Sequence, residues 1–101
     1  MTVLATFPKQ PAEKQDYDID YSEYLDDLGD TPASVDLVGV STDDTIVSNM
    51  LTVSSISIVG QFVKVWCEHG NDGQRYKVTV MLTTTGGRKK EAEIMIRVKD
   101  E

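Results

Sequence analysis

Asp16, Asp18 and Asp20 stand at i, i+2 and i+4, with Glu23 three residues further on. Carboxylates so spaced resemble the opening of a calcium-binding loop. Such a loop needs glycine at its sixth position for a sharp turn and glutamate at its twelfth, where this chain has Tyr21 and Asp27. The interleaved Tyr17, Ile19 and Tyr21 offer another reading, a strand of period two. On a strand the three carboxylates share one face, about 6.5–7 Å apart, and the aromatic and aliphatic residues share the other. That acidic face is then either simply solvated or a docking surface for a basic partner.

No other constellation supports catalysis. His69 is the only histidine and lies in a glycine-flanked turn, so a hydrolytic triad has no base. Cys67 is alone, which excludes an intramolecular disulfide, and together with His69 it falls short of the three or four ligands of a zinc site. Cys67 reads as a small buried hydrophobe in a strand. Gly86-Gly87 suits a hairpin turn needing positive φ and is not a phosphate-cradling loop. The expectation is a chain that is not an enzyme and holds no metal or cofactor. A net charge of -7 argues against nucleic-acid or anionic-membrane partners, which need a basic surface. No apolar run approaches the ~18 residues of a membrane span. The start, `MTVLATFPKQ`, lacks the basic and apolar regions of a signal peptide, so synthesis and folding in a reducing cytoplasm are expected.

The elements that would position these residues are mostly strands. Residues 1–15 carry two prolines and no sustained period, and read as an extended arm with Val3, Leu4 and Phe7 as apolar anchors. Fully stretched it would reach roughly 45–50 Å; it is either a frayed terminus or an arm that docks on its own domain or on a neighbour. Residues 16–101 read as one domain. After the Asp16–Tyr21 strand, Tyr24, Leu25 and Leu28 at helical spacing predict one helical turn, capped by Ser22 and ended at Gly29. Pro32 marks an entry or edge position for a strand with Val35 and Leu37 alternating. Asp43-Asp44 reads as a turn. `TIVSNMLTV` and `SISIVGQFVKVWCEH` supply two or three further strands. In the second, Val63, Val65 and Cys67 compete with Phe62, Lys64 and Trp66 for the inward face, so the facing of Trp66 stays open. `YKVTVMLTTTGGRKKEAEIMIRV` is a hairpin pairing Tyr76, Val78, Val80 and Leu82 with Ala92, Ile94, Ile96 and Val98. Tyr76, directly after `HGNDGQR`, stands where sandwich domains place a corner tyrosine that ties down the preceding turn. About seven short strands, one helical turn and an arm predict an all-β, immunoglobulin-like two-sheet β-sandwich.

Charge is unevenly spread along the chain. Residues 1–60 hold two lysines against eleven carboxylates, whereas residues 61–101 hold eight cations against six carboxylates. Three of those cations, Arg88, Lys89 and Lys90, sit at the tip of the final hairpin. They are either a solvated turn that keeps an edge strand from pairing with strangers, or a basic pole of assembly contacts opposite the acidic Asp16/Asp18/Asp20 pole.

The ordered segments resemble a family of small bacteriophage fibre-tail adaptor proteins. The likeness is carried by a proline-bearing arm leading into `DYDIDYSEYLDDLGDTPAS`, by `VSNMLTVSSISIVG`, and by `HGNDGQRYKVTVMLTTTGGRKKEAEIMIRV`, and runs from about Phe7 to Lys99. Tyr21 stands where that family more often shows tryptophan. The resemblance implies a non-enzymatic component of the virion tail, made in the host cytoplasm, that joins tail fibres to the tail in several symmetry-related copies. Its partners would be other tail or neck proteins, the tail fibre, and neighbouring copies of itself or of a tail ring. Two other roles remain open on the residues: a capsid decoration or head-completion protein, and a carbohydrate-binding sandwich with Trp66, Tyr24 and Tyr17 as the only stacking candidates.

Overall fold

A computed structural model describes residues 3–100 of the chain, with side chains from residue 5 onward. Seven strands run in the order β1 (Val3–Lys9), β2 (Gln15–Asp20), β3 (Pro32–Thr42), β4 (Thr52–Val59), β5 (Phe62–Glu68), β6 (Arg75–Thr84) and β7 (Lys89–Val98), with one helix, α1 (Ser22–Leu28), between β2 and β3. They form a four-stranded sheet, β1-β7-β6-β3, facing a three-stranded sheet, β2-β5-β4. All ladders are antiparallel except β1 with β7, which is parallel. This is an all-β sandwich with the immunoglobulin-like order, in which the first strand has crossed to the sheet of the last.

Alternation decides which side chains face inward. On β6 and β7, Tyr76, Val78, Val80 and Leu82 together with Ala92, Ile94, Ile96 and Val98 are all buried, and Tyr76 pairs with Ile96, Val78 with Ile94 and Val80 with Ala92. On the facing sheet, Tyr17 and Ile19 of β2 meet Val63, Val65 and Cys67 of β5. The competition on β5 is thereby resolved: Phe62, Lys64 and Trp66 face outward. Burying each aliphatic side chain of this set contributes about 1.5–3 kcal/mol.

Two features depart from the sequence reading. Residues 45–51 do not form a strand, because side chains take their backbone groups: the Asp44 carboxylate accepts the Ile46 N–H at 2.9 Å, and the Asn71 amide donates to the carbonyls of Ile46 and Ser48. Asn49 completes the irregular path with φ 59°. Ser22 is not the cap of α1. It is the first helical residue, and its N–H is taken by the Asp20 carboxylate at 2.8 Å. Gly29 does end the helix, at φ 61°. Residues 3–9 of the expected arm are paired with β7 of their own domain, one of the two docking options the sequence left open. Pro8 and Pro32 are accommodated because β1 and β3 are the two edges of their sheet.

The seating of β1 has a polar and an aromatic part. Lys9 is buried, and its ammonium donates to the carbonyls of His69 at 2.6 Å, Gln10 at 2.8 Å and Pro11 at 3.4 Å. Burial pushes its pKa down, while Cys67, Glu13 and Glu68 push it up. Phe7 packs on Tyr17 with ring centroids 5.0 Å apart, and the Tyr17 hydroxyl donates to the Pro8 carbonyl at 3.0 Å. Packing of β1 therefore links the two sheets along one side of the sandwich.

Candidate functional site

The acidic strand β2 lies at the edge of the three-stranded sheet, its carboxylates outward as the spacing predicted. Its neighbour β5 places Lys64 directly opposite Asp18. The Lys64 ammonium reaches Asp16 at 2.7 Å and Asp18 at 3.2 Å, so one internal cation serves two carboxylates. The hydrogen bond from Lys64 holds the Asp16 carboxyl below its ordinary range, and the same bond raises Lys64. Asp20 is held low by the Ser22 hydroxyl and N–H at the start of α1. Asp18 remains 53% exposed even so. Along an extended strand with a lysine between them, these groups do not wrap a single point as calcium ligands must.

The hairpin tip is held at the same end of the sandwich as α1. The chain turns through Thr85, Gly86 and Gly87, with Gly87 at φ 88°. Thr84 N–H donates to the Arg88 carbonyl at 2.8 Å, and the Thr84 hydroxyl accepts the Arg88 N–H at 2.9 Å. Arg88 then turns back onto Asp30, guanidinium to carboxylate 2.8 Å. The Thr84 hydroxyl, the Thr31 N–H, the Arg88 guanidinium and the Gly86 N–H hold the Asp30 carboxyl down at about 2, against the opposing effect of burial. The Lys90 ammonium sits 5.5 Å from the centroid of the Tyr24 ring, a cation–π contact. The Tyr21 hydroxyl donates to the Lys90 carbonyl at 3.1 Å.

Those contacts redraw the electrostatic layout expected from the sequence. Asp20 ends the strand that leads into Tyr21, and Tyr21 touches Lys90, so the acidic strand runs up to the tip and the two are not opposite poles. Of the three tip cations, only Lys89 has neither an ion pair nor a ring beneath it among the described residues. Phe7 is directed inward onto Tyr17. The side chains of Val3 and Leu4 lie outside the described residues.

At the other end, Tyr76 does what its position suggested. Its hydroxyl accepts the Asn71 N–H at 3.0 Å and donates to the Asp44 carboxylate at 2.6 Å. Asn71 adds a side-chain bond to Asp44 at 2.7 Å. The hydrogen bonds from Tyr76 and Asn71 keep the Asp44 carboxyl low. One tyrosine thus fixes its own turn and the long 43–51 loop, on which Val47 is 87% exposed.

Residues 9–97 match the family model described as podophage GP4 fiber-tail adaptor protein gp77. The chain belongs to this fiber-tail adaptor family. No curated protein matches it. The match covers every strand but most of β1, including the acidic strand, α1, the tyrosine corner and the charged tip. In this member of the family Trp66 faces outward beside Asp16, while Tyr17 is buried and Tyr24 lies under Lys90. The three aromatics therefore do not form one stacking platform.

The sequence reading missed one set of outward residues, Arg75, Lys77 and Arg97. Arg75 and Arg97 lie directly opposite each other across β6 and β7, with Lys77 two residues along β6 on the same face. The signal was present in the hairpin register: pairing Tyr76 with Ile96 also pairs Arg75 with Arg97.

Proposed function

We propose that this chain is a non-enzymatic structural protein of the phage virion, an adaptor that joins tail fibres to the tail through protein–protein contacts in a symmetric, multi-copy assembly. The family match over residues 9–97 carries this reading. The fold supports it by offering a doubly layered body with outward charges on its strands, among them Asp16, Asp18, Asp20 and Lys89. Partners are tail or neck proteins, the fibre, and neighbouring copies. Contact surfaces within that assembly are the Asp16/Asp18/Asp20 face and the exposed hairpin tip, where Lys89 is the cation with neither an ion pair nor a ring contact among the described residues. Val3 and Leu4 at the start of the chain complete the set.

Immunogold labelling of purified particles tests the role. Label at the tail near the fibre attachment supports the adaptor; label over the head moves the protein to capsid decoration or head completion. Replacing Arg88, Lys89 and Lys90 together with Glu tests the tip. Incorporation into particles should fall; normal incorporation of a folded triple variant leaves the tip as an internally braced, solvated turn. Because Arg88 also holds Asp30, Lys89→Glu alone separates the contact from folding.

A further inference from the structure

We propose that the outer face of the four-stranded sheet, centred on Arg75, Lys77 and Arg97, docks onto the Asp16/Asp18 face of a second copy of this chain. The inference rests on the multi-copy reading above and adds to it which two surfaces meet.

The first observation is an uncompensated repulsion. Arg75 and Arg97 occupy directly opposite positions on neighbouring antiparallel strands, an arrangement that destabilises a sheet when the charges are alike. Neither guanidinium has a carboxylate within ion-pair distance among the described residues, and Lys77 reaches only Glu93, at 4.0 Å. Asp43 lines the same shallow hollow beside Arg75 and Lys77 without closing a pair. The isolated domain therefore carries two neighbouring guanidinium groups that no ion pair among the described residues neutralises.

The second observation is a complementary deficit on the other side of the sandwich. The outer face of the β2-β5-β4 sheet carries Asp16, Asp18, Asp20 and Glu68 around the single ammonium of Lys64. Asp18 and Asp16 still expose 53% and 36% of their side chains after pairing with it.

The third is geometric. Asp16 and Asp18 are two residues apart on β2, and Arg75 and Lys77 are two residues apart on β6. Each pair therefore projects its charges about 6.5–7 Å apart, so two carboxylates of one copy can meet two cations of another without a change of backbone. Guanidinium groups suit such pairing because their planar fork accepts a carboxylate through two parallel bonds. Since the two faces lie on opposite sides of one sandwich, the contact is heterologous, and a pair of copies keeps one face of each sign free for the next. A chain that carries both halves of a matched surface needs no other protein to complete it.

Sedimentation velocity of the full chain at low salt (~20 mM) and high salt (~0.5 M) tests the proposal with two variants, Arg75→Glu/Arg97→Glu and Asp16→Lys/Asp18→Lys. The wild type self-associates at low salt and less at high salt. Each variant alone loses self-association by roughly 10-fold or more, because one of its faces now repels the other. An equimolar mixture of the two variants associates again, since each reversed face meets its complement. Thermal melts check that both fold, and Asp18→Lys alone serves if the double substitution does not. A wild type that stays monomeric at low salt overturns the proposal, as does association that the reversals leave unchanged or a mixture that fails to recover. These outcomes are independent of where antibody label falls on particles, so this interface can fail while the tail role stands, or the reverse.

Discussion

The Arg88 guanidinium lies 2.8 Å from the Asp30 carboxylate, 58 residues earlier in the chain, and this pair fastens the last hairpin to the loop after α1. Asp30 is only 7% exposed and also accepts the N–H groups of Thr31 and Gly86. Its carboxyl titrates at about 2 in the fold, against an ordinary value of 3.8. The folded value is the lower one, so between the two the unfolded chain binds more protons and stability rises with pH. The contribution is fully present above 3.8 and is lost as pH drops through about 2. Asp30→Asn removes it. The stability gap between wild type and this variant in urea titrations should be constant near neutrality and narrow from about pH 5 to pH 2. A gap independent of pH would show that Asp30 is not held as described.

Tyr76→Phe should cost about 1–3 kcal/mol in urea unfolding, because it leaves the Asn71 N–H and the Asp44 carboxylate without their shared partner. The effect should be local as well as global. Hydrogen exchange at Asn71 and Ile46 should speed up more than exchange in β7, since the hydroxyl bridges the 43–51 loop and the turn before β6.

Leu25→Ala should destabilise by about 2–5 kcal/mol. Helix α1 has seven residues, too short to persist by itself, and Leu25, fully buried, is its anchor in the core. Leu28 ends the same helix but is 41% exposed, so Leu28→Ala should stay within about 0.5 kcal/mol. Chemical denaturation of the two variants side by side checks the contrast.

Cys67 should resist thiol reagents until the sandwich opens. It is fully buried on β5, and burial pushes its thiol up to about 11. At pH near 8 the native protein should be labelled at least ~1,000-fold more slowly than the urea-unfolded chain. Fast labelling of the native state would mean that β5 is far less protected than its packing implies.

Much of this molecule could be read from residue order alone. Strict alternation from Tyr76 to Leu82 and from Ala92 to Val98 identified the inward faces of β6 and β7, and Asp16–Tyr21 declared its acidic and apolar sides. Gly29 and Gly86-Gly87 marked the ends and turns, and Tyr76 stood out as a corner residue because its place before an alternating strand has one recurrent use. The family was legible for the same reason, since ordered turn-and-strand signatures are local. Alternation could not settle β5, where both faces carry bulky apolar groups; only its register with Ile19 and Ile56 on the flanking strands of its own sheet chose Val63, Val65 and Cys67 over Phe62 and Trp66. Ile46 and Val47 looked like strand residues, yet Asp44 and Asn71 claim the backbone there. The tertiary structure alone decided that β1 runs parallel to β7, that Lys64 stands between Asp16 and Asp18, and that the basic tip is turned onto Asp30 and Tyr24. A period of two fixes which face a side chain occupies. It carries no information about which distant strand lies alongside, and the ionic partner of a surface charge is set by that neighbour.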